Sequence, residues 1–366
     1  MNKLVFVLPG IKGGGAERVV LNLYKAMERF HDYECHIVSF DRDVAHELEP
    51  DLRVHYLDQK KEVSKKGVRR LTYRKKLAKL LDDFISANIG RDCIILSNMV
   101  FVDKVTSLSR LNVFHLIHSA YGQSLLGGKS TFRRFFIKRN ISNVYGRHPL
   151  IFVSEGARES FLHNFKTRVD KEVIYNPLDQ EELKALAEAK IEKLDFDYLV
   201  HVGRFSREKR HDRLLRAFSA IRTNVKLVLL GEGKLENRIK VLVKELGLTD
   251  RVVFMGFKQN PYPYIKISKA LVLSSDFEGL PTVILEALSL GTPVVATDCP
   301  GGIREIVSSQ SHSLVPVDDV GMLSAAMEDV LCSPEKYISA LSTKFDSRTV
   351  SGQYHELFQR YLAGGF

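Results

Sequence analysis

The sequence predicts an α/β protein with two doubly wound domains, each built on a parallel sheet. Apolar runs rich in β-branched residues alternate with stretches in which apolar residues recur at helical spacing, as in sheets covered on both faces. The pattern restarts after a polar connector near residues 173–197. The length of 366 residues also exceeds what one hydrophobic core usually serves. These three observations together favour two successive domains.

Each element follows from a local pattern of residues. The predicted strands are 3–10, 35–40, 93–98, 113–119 and 149–154 in the first half, and 198–203, 225–231, 251–256, 270–275 and 293–297 in the second. Helical spacing covers 16–30 and 70–89 in the first half, and the linkers of the second half have room for helices. We assign residues 1–177 to the first domain and 178–347 to the second.

Composition excludes several protein classes. No apolar run approaches the roughly 20 residues that a membrane-spanning helix needs. The N-terminal run "LVFVLPGI" leads into glycines and charged residues, so it is expected to be a first strand and not a signal peptide. The four cysteines are scattered without a CxxC pair, which suits reduced thiols and a cytoplasmic protein.

The positive charge lies in the first half. Residues 1–176 hold 30 basic against 19 acidic residues, and the rest of the chain is close to neutral. Residues 60–79 carry ten basic residues and one acid, and residues 129–140 interleave phenylalanines with Arg and Lys. Such runs are often only solvated helix faces, but two of them, one with aromatic neighbours, favour an anionic membrane surface as a partner.

A glycine-rich turn follows the first strand and opens a helix. Gly14 and Gly15 allow close approach of a ligand to the backbone, and the helix N-terminus offers free N–H groups to an anion. A nicotinamide dehydrogenase is the natural rival interpretation. It is disfavoured because GxGxxG does not fit this turn and no clean ribose-binding acid follows about 20 residues later.

Two strand ends of the second half carry candidate binding groups. Arg204 directly follows a strand that ends at Gly203, and Lys209 is expected at the start of the next helix. Two cations at this edge can hold a diphosphate, although a plain surface cluster is the alternative. Gly256 and Phe257 end another strand, where backbone groups can contact a flat base.

The segment "SSDFEGLPTVILEALSLGTPVV", residues 274–295, holds a carboxylate in a loop and another in the helix that follows. Pro281 fits the first turn of that helix, where its missing N–H costs nothing. The N–H groups of Thr282 and Val283 would then favour an anion. Glu278 and Glu286 are good acceptors for vicinal hydroxyls, so one segment could hold the sugar and the ribose of a nucleotide diphosphate sugar.

The spacing of Glu278 and Glu286 resembles the EX7E motif of retaining GT-B glycosyltransferases, and in particular of family 4. Further stretches fall in family order: "GGAERVVLNL", "FVSEGARE", "IYNPLD", "VGRFSREKRHDRLLRAF", "LLGEGKLENRI", "VVFMGF" and "GGIREIV". The resemblance implies two Rossmann-like domains facing across a cleft, with the acceptor bound by the first and the donor by the second. It also implies that the C-terminal segment, residues 348–366, forms a helix around 348–362 that crosses back to the N-terminal domain.

The resemblance implies a role for each candidate residue. Arg204 and Lys209 would hold the donor diphosphate, and Glu278 and Glu286 would bind the hydroxyls of the donor sugar and the ribose. His118 resembles the active-site histidine near the donor sugar. Gly14 and Gly15 would border the acceptor side of the diphosphate. The remaining donor-site residues, which would act mainly through their backbones, are Gly256, Phe257, Gly279, Leu280, Pro281, Thr282 and Val283.

The resulting hypothesis is a metal-independent, retaining transfer of a hexose or N-acetylhexosamine to a saccharide acceptor of a lipopolysaccharide, a capsule or a lipid-linked oligosaccharide. No DxD follows a strand, so no metal cofactor is expected, and the variants "IYNPLD" and "GGIREIV" favour UDP over GDP. A nucleotide-sugar epimerase of the same fold would keep the donor site but needs no acceptor surface. A nucleic-acid-binding protein would explain the basic half but not the paired carboxylates, so no nucleic acid is expected as a partner.

Overall fold

The computed structural model describes residues 2–11, 13–42, 50–57, 68–192, 194–307 and 312–364, and for residues 68–71 it describes the backbone alone. The chain divides into two compact units. One unit comprises Met1–Pro177 together with Lys344–Phe366, and the other comprises Leu178–Thr343. Among the helices of the described ranges, none combines the length and the apolar character that a membrane span requires.

The first unit is a parallel sheet with helices between its strands. Its strands are β1 (Asn2–Leu8), β2 (Tyr33–Ser39), β3 (Val54–Tyr56), β4 (Cys93–Asn98), β5 (Asn112–Ile117), β6 (Leu150–Phe152) and β7 (Lys171–Val173). Its helices are α1 (Gly15–Phe30), α2 (Val68–Asn88), α3 (Val100–Thr106), α4 (Tyr121–Leu126), α5 (Thr131–Val144), α6 (Glu155–Asn164) and the C-terminal α14 (Ser347–Leu362). The described strands run in the order β3-β2-β1-β4-β5-β6-β7.

The second unit repeats this plan. Its strands are β8 (Tyr198–Val202), β9 (Lys226–Leu230), β10 (Val252–Gly256), β11 (Ala270–Leu273), β12 (Val294–Thr297) and β13 (Leu314–Val315). Its helices are α7 (Gln180–Ala187), α8 (His211–Ala220), α9 (Glu236–Glu245), α10 (Tyr262–Lys266), α11 (Thr282–Ser289), α12 (Ile303–Ile306) and α13 (Val320–Cys332), with a 3-10 turn at Arg207–Lys209. The described strands are parallel, in the order β10-β9-β8-β11-β12-β13.

Burial explains why these runs form central strands. Every residue of β4 and β11 is buried, because helices cover both faces of each sheet. In each sheet the strand order reverses beside the first strand of the unit, between β1 and β4 and between β8 and β11. Ligands of open parallel sheets bind outside the carboxyl ends of the strands at such a point. The fold therefore selects one edge of each sheet as a candidate binding site.

Helix α14 belongs to the first unit although it ends the chain. Its Phe358 ring is fully buried and lies 5.3 Å from the ring of Phe114 on β5. Its His355 stacks on His31 at 4.8 Å. Asp346 caps the helix by accepting a hydrogen bond from the amide of Arg348.

The predicted fold class is confirmed: both units are Rossmann-like, with parallel sheets. Three strands were missed, namely β3, β7 and β13, which have only two or three residues each and carry no readable pattern. Strand β5 ends at Ile117, so His118 lies just beyond the strand end and not within it. Residues 60–67 of the basic stretch 60–79 lie outside the described residues.

Candidate active site

Two loops of the second unit meet where the strand order reverses. One loop follows β8 and contains Arg204 and Lys209, and the other follows β11 and contains Glu278. The Nζ atom of Lys209 lies 2.6 Å from Oε1 of Glu278. The two side chains are only 18% and 13% exposed, respectively. The structure thus brings two separately predicted site residues into direct contact.

The same carboxylate oxygen of Glu278 also accepts a hydrogen bond of 2.6 Å from the hydroxyl of Ser275. The carboxylate therefore has a fixed orientation before any ligand binds. An ammonium has three N–H donors and Glu278 takes one of them, so Lys209 keeps donors for a further anion. Pairing with Lys209 also lessens the repulsion that Glu278 would exert on a nearby phosphate.

Backbone contacts fix the two loops to each other. The hydroxyl of Ser274 donates to the carbonyl of Lys209 at 2.8 Å. The amide of Asp276 donates to the carbonyl of Glu208 at 2.8 Å. Lys209 ends a 3-10 turn and α8 begins only at His211, so the predicted position of Lys209 at a helix start is corrected by two residues.

Two arginines reinforce this junction. Arg213 is buried and donates to the carbonyl of Ser274 at 2.8 Å and to the carboxylate of Asp276 at 2.6 Å. Arg210 adopts a left-handed backbone conformation with φ of 48° and bonds to both Asp212 and Asp276, which raise the pKa of its guanidinium. A non-glycine residue with positive φ is strained, and such strain persists where the surroundings hold it.

Arg204 differs from these residues because its side chain is exposed. Within the described part of the chain it makes no ion pair, whereas Arg210 and Arg213 are engaged by carboxylates. The predicted diphosphate pair is therefore not preassembled. Lys209 is held by Glu278, and Arg204 stands at the end of β8 with its guanidinium available to an incoming anion.

Helix α11 begins at Thr282, with Pro281 as its N-cap residue. The amides of Thr282 and Val283 are among the first of the helix, and amides there have no intrahelical acceptor. Leu280 and Val283 are buried beside them. Glu286 lies in the second turn and is also buried, so EX7E places one carboxylate before the helix and one inside it.

The loop after β12 holds the backbone of Glu278 and Gly279 by hydrogen bonds. The amide of Glu278 donates to the carbonyl of Pro300 at 3.0 Å, and Gly279 accepts at 2.6 Å from the amide of Gly302. Gly301 has φ of 125°, and a Cβ atom there would lie 2.2 Å from the carbonyl oxygen of Glu278. Only glycine allows this approach, which explains the "PGG" sequence after β12.

The predicted base-binding position lies at the end of β10. Gly256 adopts φ of 66° and its carbonyl accepts from the amide of Gly231 at 2.8 Å. The amide of Phe257 makes a long contact of 3.5 Å with a carboxylate oxygen of Glu232. Glu232 was not predicted from the sequence, although it follows the end of β9.

In the first unit, the turn after β1 uses its glycines as expected for a tight strand-to-helix connection. Gly13 has φ of 76° and Gly14 is the N-cap residue of α1, which Gly15 opens. The amide of Gly14 donates to the carboxylate of Glu17 at 2.7 Å. An acid of the helix itself therefore occupies an amide that we expected to border a diphosphate.

His118 follows β5 at the same edge of this sheet. Its Nε2 lies 2.8 Å from Oδ1 of Asn98, the last residue of β4. Burial lowers the pKa of His118 to about 4, so its imidazole is neutral at physiological pH. Asn98 was not selected from the sequence, although the rule that ligands collect at strand ends applies equally to the loop that it begins.

Two buried histidines near Lys209 were also not predicted from the sequence. His201 and His211 are buried with ring centroids 4.6 Å apart. Burial is the main cause that lowers the pKa of His201 to about 4 and that of His211 to about 2; Lys209 contributes to both shifts and His201 contributes to that of His211. Both rings are therefore neutral, and they add no positive charge beneath Lys209.

Comparison with known proteins assigns the chain to a family. Residues 184–341 match the family model described as glycosyl transferases group 1, and residues 13–182 match that of glycosyltransferase family 4. Over 355 residues and 95% of each chain, the protein is 29% identical to the N-acetylgalactosamine-N,N'-diacetylbacillosaminyl-diphospho-undecaprenol 4-alpha-N-acetylgalactosaminyltransferase of Campylobacter jejuni. It is 32% identical to the lipopolysaccharide 1,6-galactosyltransferase of Escherichia coli over 47% of this chain and 49% of that one.

Solved structures share the fold. Sucrose-phosphate synthase from Thermosynechococcus elongatus superposes with a TM-score of 0.78 at 20% identity over the whole of both chains. Anabaena Alr3699/HepE in complex with UDP-glucose superposes with a TM-score of 0.76 at 19% identity over 98% of this chain and 100% of that one. The chain is therefore a GT-B glycosyltransferase, with a family 4 domain followed by a group 1 domain.

Proposed function

We propose that this glycosyltransferase moves a hexose or an N-acetylhexosamine from a UDP-sugar to a saccharide acceptor, without a metal ion and with retention of anomeric configuration. The acceptor is a growing cell-surface glycan, such as a lipopolysaccharide, a capsule or a lipid-linked oligosaccharide. The observation that carries the proposal is the contact between Lys209 and Glu278 at the strand-order reversal, with Arg204 exposed beside it.

This arrangement supplies what a nucleotide diphosphate sugar requires. Lys209 and Arg204 neutralise the diphosphate, as a metal ion does in other folds, and the first amides of α11 add hydrogen bonds. Glu278 binds hydroxyls of the donor sugar, and Glu286 binds those of the ribose. The backbone at Gly256 and Phe257 contacts the base, and the turn of Gly14 and Gly15 lies on the acceptor side.

Retention follows if the acceptor attacks from the face that the diphosphate leaves. The bond between the anomeric carbon and the phosphate oxygen breaks, and its electron pair stays on the departing UDP. The acceptor oxygen forms the new glycosidic bond, and its proton passes to the leaving phosphate. Lys209, Arg204 and the N-terminus of α11 stabilise the charge that develops on UDP, and binding aligns the reacting groups.

The choice of UDP and of a surface glycan rests on similarity as well as on the site. The Anabaena protein binds UDP-glucose, and the curated relatives transfer N-acetylgalactosamine to a diphospho-undecaprenol-linked saccharide or galactose in lipopolysaccharide. A neutral His118 fits a reacting sugar, because an uncharged imidazole can accept a hydrogen bond from a hydroxyl.

Helix α5 supports docking on an anionic membrane surface at the cytoplasmic face. Phe132, Phe135 and Phe136 are 74%, 62% and 54% exposed, and the rings of Phe132 and Phe136 are 4.9 Å apart. Exposed arginines lie on the same helix at 133, 134 and 139. Aromatic rings beside basic side chains suit insertion at the boundary between headgroups and acyl chains.

The test is calorimetric titration of the purified protein with UDP, GDP and ADP in the presence of EDTA. We expect UDP to bind at least tenfold more tightly than GDP or ADP, because backbone groups near Phe257 contact the base. Slow hydrolysis of one member of a UDP-sugar panel then identifies the donor. Failure of all three nucleotides to bind, or binding only when a divalent metal is restored, would reject the proposed donor site.

A further inference from the structure

Asn98 lies at the carboxyl end of β4 and is fully buried. Its amide nitrogen donates to the carbonyl of Leu96 at 2.9 Å and makes a longer contact of 3.5 Å with the carbonyl of Val7. These two acceptors determine which end of the amide is nitrogen, so the oxygen is the atom that lies 2.8 Å from His118 Nε2. An amide oxygen only accepts, and therefore Nε2 of His118 must carry the proton.

The backbone around Asn98 is held rigidly. Met99, the next residue, has φ of 74°, a strained conformation for a residue with a side chain. The preceding Ser97 donates to the buried carboxylate of Asp103 on α3 at 2.6 Å. The hydroxyl of Tyr145 donates to the same carboxylate at 2.6 Å, and His115 Nδ1 lies 3.1 Å from it. This buried cluster fixes α3 to β4, and the contacts of the Asn98 amide nitrogen with Leu96 and Val7 orient its oxygen towards His118.

We propose that Asn98 is a positioning residue, which holds His118 in the Nε2–H tautomer so that the Nδ1 lone pair accepts a hydrogen bond from a sugar hydroxyl during transfer. The inference rests on the proposed role of His118 at the reacting sugar. Asn98 does not touch the substrate itself. It acts by excluding the other tautomer, in which Nδ1 would be a donor and Nε2 would face the amide oxygen with a lone pair.

The charged groups around His118 are arranged as expected for a neutral imidazole whose Nδ1 accepts a hydrogen bond. Burial is the cause of the lowered pKa of His118, and no charged group among the described residues contributes to it. The titratable groups on the neighbouring elements are engaged elsewhere: Asp103 and His115 contact each other, and Glu17 binds the amide of Gly14. The tautomer of His118 therefore depends on Asn98 and not on a nearby charge.

The direct test is NMR of the full chain with 15N-labelled histidine, in which the signals of His118 are assigned from their loss in His118→Gln. We expect a protonated Nε2 and an unprotonated Nδ1 at pH 7 in the wild-type protein. In Asn98→Ala, the Nδ1–H form should appear. A wild-type His118 protonated at Nδ1 would overturn the proposal. This readout needs no donor or acceptor, so it is independent of whether the proposed function is right.

Kinetics provide the second test. Asn98→Ala should lower kcat by about tenfold to a hundredfold, because a reacting group loses its alignment, while the affinity for UDP stays unchanged. In a His118→Ala background the same substitution should have no further effect. An equal loss in both backgrounds would show that Asn98 acts otherwise. The matched control is Asn88→Ala on α2, an exposed residue whose side-chain amide donates to the carbonyl of Phe84 on its own helix, and its kcat should equal the wild-type value.

Asn98→Asp gives a signature that a structural role alone would not produce. A carboxylate beside Nε2 should raise the pKa of His118 by about one to three pH units. Protonation removes the Nδ1 lone pair, so the acidic fall in kcat should move to higher pH by the same amount. An unchanged pH profile in a folded, active Asn98→Asp protein would contradict the proposal.

Discussion

In the donor site that we propose, the contact between Lys209 and Glu278 allows a carboxylate to lie close to a diphosphate. A free Glu278 would repel the phosphates, but the paired and oriented group has its charge compensated and one oxygen left for a sugar hydroxyl. The energetic value of the pair therefore lies in orientation and charge balance at the site. Its contribution to folding is small by comparison, because the cost of removing two charges from water offsets much of their mutual attraction.

Lys209→Ala should weaken UDP binding by about tenfold to a hundredfold, the usual effect of losing a charge-assisted hydrogen bond, and should leave Glu278 uncompensated next to the diphosphate. Titration calorimetry with UDP measures this loss of affinity. The control is Lys240→Ala, because Lys240 pairs with Glu236 on the surface of α9. UDP affinity that is equal in the wild type and Lys209→Ala would remove Lys209 from the donor site.

The site residues that could be predicted from the sequence are charged residues with a recognisable position or spacing. Arg204, Lys209, Glu278 and Glu286 were selected because strand ends and the EX7E spacing mark them. Asn98 was missed because its contact is with His118, which lies 20 residues away, just beyond the end of the next strand, and only the folded sheet brings the two side chains together. The hydrogen bond from the Gly14 amide to the Glu17 carboxylate was likewise not predictable from the glycines of this turn.

At the scale of elements, α5 is the part of the first unit with an unusual surface. Its buried side consists of Ile141 and Val144, whereas its phenylalanines point away from the core. Three exposed aromatic rings on one helix indicate an interaction surface, because large exposed apolar patches mark interaction sites.

The substitutions Phe132→Ser, Phe135→Ser and Phe136→Ser, made together, should reduce binding to phosphatidylglycerol vesicles by at least about a hundredfold, since each inserted ring contributes on the order of 1.5 kcal/mol or more. UDP binding should be unchanged. Vesicle co-sedimentation measures the effect, with Val241→Ser on α9 as the control for an exposed apolar residue elsewhere. Equal sedimentation of the triple variant and the wild type would exclude α5 as the docking element.

The long elements were predictable and the short ones were not. The boundaries of α1 and α2 lie within two residues of the predicted ranges, because many turns of apolar periodicity define a helix. Helix α14 lies within one residue of the range that the family resemblance implies. Strands β3, β7 and β13 exist because a neighbouring strand offers them hydrogen bonds, which no local pattern records. The short 3-10 turn before α8 is set by Ser274 and Asp276 from another loop.

At the scale of the whole molecule, buried neutral histidines make stability depend on pH. His201 is fully buried, its Nδ1 donates to the carbonyl of Val272, and its pKa falls from 6.5 to about 4. Between these values the unfolded chain binds a proton that the folded chain does not. Stability must therefore decrease as the pH falls from 6.5 towards 4.

Urea unfolding at pH 7 and pH 5 tests this dependence. The free energy of unfolding of the wild type should fall by about 2 kcal/mol more than that of His201→Asn, whose amide keeps the hydrogen bond but does not titrate. The exposed His312→Asn serves as the control and should retain the wild-type pH dependence. Identical pH dependence in the wild type and His201→Asn would contradict the account of the buried ring.

The central claim is that a charge-compensated carboxylate and two cations perform retaining transfer from a UDP-sugar without a metal ion. Its most direct test is turnover of UDP-hexoses in EDTA by the wild type and by Glu278→Gln, with the anomeric configuration of the fresh product read by proton NMR. We predict an α product from the wild type and a loss of at least about a hundredfold in Glu278→Gln, with UDP affinity retained. A β product from the wild type, or full turnover by Glu278→Gln, would contradict the central claim.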